Sequence, residues 1–229
     1  TDRATQRGGY AVKIDFSRKL IGVFGSHECG KSRFIKTASG SYDTVVFDTL
    51  REYDENKFDV YRPRSDQKDA LENEANSFIG DIRETKQKDK ADWDMVVLSE
   101  ASSYLRNNGY GQNINNFLNY YRHDLDNQGW EMGGMYDARR PAKVSSDLRE
   151  VTKYFVIFGG IKGLNDVKAL NSIADGLGDR AKQLDTPFDR DCPECSQSPD
   201  PELCSNPDHS PFEFLLVYPD RSFERFDPI

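Results

Sequence analysis

The chain has 229 residues, enough for one globular domain with a sizeable core and a small appendage. Hydrophobic residues make up 36% and mean hydropathy is −0.77, so the surface is strongly polar. No stretch approaches the roughly 18 consecutive apolar residues that span a bilayer. A net charge of −8 argues against a protein coated in nucleic acid but leaves room for a local basic channel.

The acids are mostly Asp, which suits either a salt-adapted surface or an ordinary acidic enzyme. Thr1 to Gly9 is polar and carries no signal-peptide apolar region, so a soluble cytoplasmic protein is expected. Tyr10 to Phe16 alternates apolar and polar residues, the pattern of a half-buried strand. Leu20–Phe24 is a continuous apolar run and predicts a buried strand.

Residues 25–32 read Gly-Ser-His-Glu-Cys-Gly-Lys-Ser and match G-x-x-x-x-G-K-[ST] without a mismatch. The glycines let the backbone turn its N–H groups inward on a phosphate chain, and the helix expected over Ser32–Thr37 aims its positive end at the same anion. Gly25, Ser26, His27, Glu28, Cys29, Gly30, Lys31, Ser32 and Arg33 are therefore candidate ATP contacts. Lys31 is expected on the β- and γ-phosphates and Ser32 on Mg²⁺. Cys29 reads as a small filler whose backbone faces phosphate; His27 either touches the nucleotide or points to solvent.

Thr44–Phe47 reads as a strand ending at Asp48, and Phe58–Tyr61 as a short third strand. Residues 66–90 are charged, with Leu71, Ala75, Phe78 and Ile82 at helical spacing: an amphipathic helix. Asp94–Leu98 is the second strongly apolar strand and runs into Ser99-Glu100. An enzyme with this phosphate loop needs such a strand to deliver acids, commonly an Asp on Mg²⁺ and a Glu on the attacking water. Here Ser99 stands in the Asp place and Glu100 in the Glu place. A hydroxyl carries no negative charge, so Asp48 and Asp137 are candidate supplementary acids.

Ile114–Leu125 reads as a helix, Trp130–Tyr136 as a strand, Val151–Phe158 as another apolar run and Val167–Leu177 as a helix. Phe212–Tyr218 and Ser222–Phe226 read as a hairpin closed by Pro219-Asp220-Arg221. The expected division is a core over 1–185, a Cys/Pro-rich insertion over 186–211 and a closing hairpin over 212–229. The fold class is α/β, with a mainly parallel central sheet flanked by helices.

In the insertion, Cys192, Cys195, Cys204 and His209 form C-x₂-C-x₈-C-x₄-H, a ligand set for a structural Zn²⁺. The alternative is a loop with free thiols. Basic residues able to meet an anionic backbone are Arg62 and Arg64, the run Lys86, Lys88 and Lys90, which reads first as a solvated helix end, and the segment Ser102–Gln112. No base-reading module is visible, so any DNA binding is expected to be sequence-independent.

Three segments, with the phosphate loop, resemble the HerA–FtsK-type DNA-pumping ATPases. They are Val45-Val46-Phe47-Asp48-Thr49-Leu50-Arg51-Glu52-Tyr53, then Tyr120-Tyr121-Arg122-His123, then Arg139-Arg140-Pro141-Ala142-Lys143-Val144-Ser145. The resemblance covers roughly residues 20–160 and looks most like the genome-packaging ATPases of tailless icosahedral viruses, some with archaeal hosts. It implies a RecA-like sheet, ATP hydrolysis coupled to translocation of double-stranded DNA into a capsid, and a hexameric or similar ring. It also implies a capsid or portal-vertex partner and association with the virion. Arg122 takes the place of an arginine that reaches a neighbouring subunit's nucleotide. Arg140 either contacts phosphate or pairs with a surface acid. Two departures stand out: Ser99 replaces the usual Asp, and Arg139 replaces a polar γ-phosphate sensor, a role Asp137 can assume. Other readings are a nucleotide-dependent switch or docking protein of the same fold with weak hydrolysis, and a small-molecule kinase.

Overall fold

Six short strands and a hairpin build one eight-stranded sheet, seen in a computed structural model that describes residues 18–27, 29–88, 92–105, 111–123, 132–184 and 213–226. In chain order the strands are β1 (Leu20–Phe24), β2 (Thr44–Phe47), β3 (Asp59–Tyr61), β4 (Met95–Leu98), β5 (Gly133–Ala138), β6 (Tyr154–Phe158), β7 (Phe214–Val217) and β8 (Phe223–Phe226). Their spatial order is β3-β2-β4-β5-β1-β6-β7-β8. The first six run parallel; β7 and β8 are antiparallel additions at one edge.

The helices are α1 (Lys31–Ser39), α2 (Lys68–Gln87), α3 (Gln112–His123), α4 (Ser146–Val151), α5 (Leu164–Asn171) and α6 (Leu177–Ala181). Strand side chains alternate between the two faces, so each apolar run feeds two cores. Leu20, Phe24, Phe47, Leu98, Tyr136 and Phe155 face the core closed by Phe78 of α2, Phe117 of α3, Leu148 of α4 and Leu170 of α5. Ile21, Val23, Val46, Val97, Met135 and Val156 face the other, where Ile35 of α1 packs. Burial on both faces is why these strands read as unbroken hydrophobic runs rather than alternating ones.

Some element boundaries move from those the sequence suggests. Of the run Trp130–Tyr136, residues 130 and 131 lie outside the described residues; the strand includes Gly133 and continues past Tyr136 through Asp137 to Ala138, which draws an acid into the sheet. Val151–Phe158 splits into the end of α4 and β6. The Ser145 side chain caps α4 by accepting the Leu148 N–H. Val167–Leu177 splits, since α5 ends at Asn171 and α6 begins only after Gly176, whose φ of 71° lies in the left-handed region that favours glycine. The strand expected over Tyr10–Phe16, Leu125 and the insertion expected over 186–211 lie outside the described residues. No described helix is long and apolar enough to cross a membrane.

Parallel pairing puts the C-terminal ends of β1, β2, β4, β5 and β6 along one edge of the sheet. Gly25, Asp48, Ser99, Arg139 and Gly159 follow those ends directly. Open α/β sheets bind ligands at this edge.

Candidate nucleotide site

The loop after β1 is stitched to both neighbouring strand ends. The Gly25 N–H donates to Ala138 O at 3.3 Å and the Ser26 N–H to Gly159 O at 3.2 Å. No side chain fits at Gly25, since a Cβ there would lie 2.4 Å from Cys29 Sγ and 2.7 Å from Phe158 Cβ. Cys29 is buried and fills this space, the small-filler role expected of it; burial pushes its thiol pKa up. Gly30 enters α1 with φ 95°, in the left-handed region that favours glycine. No side chain caps α1 and no acid lies in its first turn, so its N-terminus is suited to an anion.

Lys31 is buried and folded across the loop. Its Nζ donates to Gly25 O at 3.1 Å and Ser26 O at 2.6 Å, and lies 3.9 Å from Cys29 Sγ. His27 and Arg33 are exposed, and Glu28 lies outside the described residues.

Ser32 Oγ donates to Glu52 Oε2 at 2.5 Å. Glu52 comes from the loop after β2, and Asp48 shapes that loop. Asp48 is fully buried, and its two carboxylate oxygens accept the N–H of Glu52 at 3.2 Å and of Tyr53 at 3.0 Å. The Asp48 oxygens hold the loop, and the loop brings Glu52 to Ser32. Arg62 also joins this loop, donating to Tyr53 O at 3.3 Å and pairing with Glu55 at 2.5 Å. Lys88 pairs with Glu84 one helical turn away.

At the end of β4, Ser99 is buried. Its carbonyl accepts from Thr49 Oγ1 at 3.1 Å and from the Tyr104 hydroxyl at 3.2 Å. Glu100 follows with φ 48°, a left-handed conformation costly for a residue with a side chain. That twist points its N–H at Asp137 Oδ1, 2.9 Å away. The Glu100 carboxylate accepts from Ser102 Oγ, and Arg139 Nε lies 3.0 Å from its other oxygen, not aligned as a hydrogen bond.

Asp137 is buried, and burial pushes its carboxyl pKa up to about 7. The Lys31 ammonium and the Glu100 N–H pull against that rise, while the charges of Glu100 and Glu52 add to it. Lys31, Glu52 and Glu100 thus all act on Asp137.

The structure does not bring every expected residue here. Arg140 reaches away, with Nε 3.2 Å from Asp166 of α5, whose other oxygen accepts the Ala142 N–H at 3.0 Å. Of its two expected roles, this is the surface pair. Arg122 lies on α3, 3.2 Å from Asn119 Oδ1 and 4.0 Å from Glu150. Cys192, Cys195, Cys204 and His209, Lys90 and residues 106–110 lie outside the described residues. Among the described residues no group of three or more His, Cys, Asp or Glu could hold a metal ion. Mg²⁺ does not need one, since it commonly binds through one or two carboxylates plus phosphate and water oxygens.

Two residues at this edge carry a signal only through the family resemblance: Glu52 within the segment Val45 to Tyr53, and Arg139 in the place of a polar γ-phosphate sensor. The sequence assigns neither a contact at the site.

No protein-family model matches the chain, and no curated protein matches it in sequence. Solved structures do match. The genome packaging NTPase B204 of Sulfolobus turreted icosahedral virus 2, in complex with ATP-gammaS, superposes with a TM-score of 0.66 at 12% identity, covering 94% of this chain and 100% of that one. B204, the DNA-packaging ATPase from Sulfolobus turreted icosahedral virus, gives 0.66 at 13% identity with the same coverage. The chain has the fold of the viral genome-packaging NTPases.

The likeness extends to a secretion ATPase. The cytoplasmic domain of EccC, the type VII secretion ATPase of Thermomonospora curvata, gives a TM-score of 0.56 at 12% identity, covering 91% of this chain and 25% of that one. At such identities the likeness is one of fold. For this chain, the chemistry rests on its own residues: a complete phosphate-loop sequence, with the acids Glu52, Glu100 and Asp137 and the cation Arg139 at the same sheet edge.

Proposed function

We propose that the protein binds and hydrolyses ATP and uses the energy to translocate double-stranded DNA into a viral capsid, working as a ring. The observation that carries the reading is Glu100, whose strained backbone is tied through its N–H to Asp137, the buried acid near the end of the neighbouring strand.

In this reading the N–H groups of the loop and of the first turn of α1 bind the triphosphate. Lys31 leaves the carbonyls of Gly25 and Ser26 and neutralises β- and γ-oxygens. Ser32 would hold Mg²⁺, which would supply positive charge to the transferred phosphoryl group. Glu100 orients the attacking water and accepts its proton. Arg139, 3.0 Å from Glu100, must give way or turn to the γ-phosphate for that to happen. Asp137 holds the Glu100 amide, and in its neutral form can also donate a hydrogen bond to phosphate. Arg122 is part-exposed on a long contact to Glu150 and is assigned to the neighbouring subunit's site. The capsid or portal vertex and sequence-independent DNA are the partners, and the host cytoplasm and the virion the places of action. The fold shared with two packaging ATPases supports these assignments.

The weakly hydrolysing switch keeps one specific observation in its favour: β4 ends in Ser99, not an acid. The two readings separate in one experiment, ATP hydrolysis against protein concentration with and without double-stranded DNA. Turnover that climbs steeply with concentration and rises with DNA supports the motor. Nucleotide binding with negligible turnover throughout supports the switch.

A further inference from the structure

The end of β4 offers a hydroxyl where a phosphate-loop enzyme commonly places its metal-binding carboxylate, so the negative charge for the cation must come from elsewhere. The loop over residues 48–53 is built to bring one. It is anchored at four points. Asp48 accepts the N–H groups of Glu52 and Tyr53. Thr49 Oγ1 donates to Ser99 O at 3.1 Å, which ties the loop to the end of β4. Lys36 of α1 sits 5.2 Å from the centre of the Tyr53 ring. Glu52 closes the set, its Oε2 accepting from Ser32 Oγ at 2.5 Å.

This carboxylate touches the hydroxyl that phosphate-loop proteins turn to Mg²⁺, and it is solvent-exposed, so a hydrated cation can reach it. Asp48 cannot substitute, being buried with both oxygens engaged by backbone N–H groups. Glu100 is held by Ser102 and Arg139. We propose that Glu52 supplies the carboxylate of the nucleotide-bound Mg²⁺ site, in place of the acid that β4 lacks. The proposal rests on the phosphate loop being a nucleotide site. It assigns the loop after β2 a metal-binding task that the strand pattern alone gives to β4.

The test uses Mn²⁺ as a spin-active substitute, titrated against the full chain with ATP-gammaS and followed by electron paramagnetic resonance. Glu52→Gln is expected to weaken Mn²⁺ binding at least ~10-fold, as loss of one charged ligand does. Its affinity for ATP-gammaS in EDTA should be unchanged. Ser99→Asp added to Glu52→Gln should recover most of the loss. Equal Mn²⁺ affinity in wild type and Glu52→Gln overturns the proposal and leaves the nucleotide site standing. Failure of wild type to bind ATP-gammaS at all overturns both. On the unmutated protein, Fe²⁺-directed backbone cleavage with ATP-gammaS bound should cut near residue 52 as well as near Ser32. Cuts confined to Ser32 and to residues 99–100 overturn it.

Discussion

The Glu100 amide donates to Asp137 at 2.9 Å, joining the ends of two adjacent parallel strands through an acid that is buried in the sheet. One hydrogen bond thus sets the backbone of the proposed water-activating residue and engages an acid poised to titrate near neutrality.

Glu100→Gln keeps the shape of the side chain and removes its basicity. Turnover should fall by about 10²–10⁴, the usual worth of a general base. ATP affinity should hold, because Glu100 is not among the phosphate-binding groups. Lys31→Ala should lose binding as well as turnover. Calorimetric titration with ATP-gammaS beside a phosphate-release assay checks both, and full turnover in Glu100→Gln would remove Glu100 from the mechanism.

Asp137 predicts a pH dependence of stability in protein free of nucleotide and metal. Its folded pKa of about 7 lies above its unfolded value, so between the two the folded state binds more protons. Stability from this group is therefore greatest below about pH 4, falls as pH rises and levels off above about pH 7. The full loss is roughly 4 kcal/mol. Asp137→Asn can still accept the Glu100 N–H and should flatten the curve. Urea midpoints of both proteins at several pH values check this.

Asp48→Ala should cost about 1–3 kcal/mol, because it strands a buried Tyr53 N–H and the neighbouring Glu52 N–H. Asp48→Asn keeps one acceptor oxygen and should cost less. Denaturant unfolding of the two variants beside wild type measures the difference. A neutral Asp48→Ala would mean the loop holds its shape without this anchor.

Arg122 and Lys31 should complement each other in mixed rings. Arg122→Ala alone should bind ATP normally and lose turnover by about 10³–10⁵ if it acts as a finger in trans. Mixed with Lys31→Ala, whose subunits still carry Arg122, it should regain turnover that neither variant shows alone. No recovery on mixing would confine Arg122 to its observed contacts with Asn119 and Glu150.

The sequence by itself determined the phosphate loop and the parallel strands around it. Local chemistry decides both: two glycines and a lysine at fixed spacing allow one kind of loop, and runs such as Met95–Leu98 are apolar because both sheet faces bury them. It also singled out Glu100 and Asp137, which end adjacent strands. The partners of the remaining charges were decided only by the tertiary structure. Asp48, Arg62 and Arg140 are spent on loop amides and surface acids, whereas Glu52 and Arg139 reach the site. A carboxylate one residue along a loop points wherever the backbone turns it. Here the turn at Arg51, with φ 59°, and the grip of Asp48 on two amides depend on strands β2 and β4 lying side by side. Spacing along the chain encodes the strands; which acid meets Ser32 is settled by contacts between segments far apart in sequence.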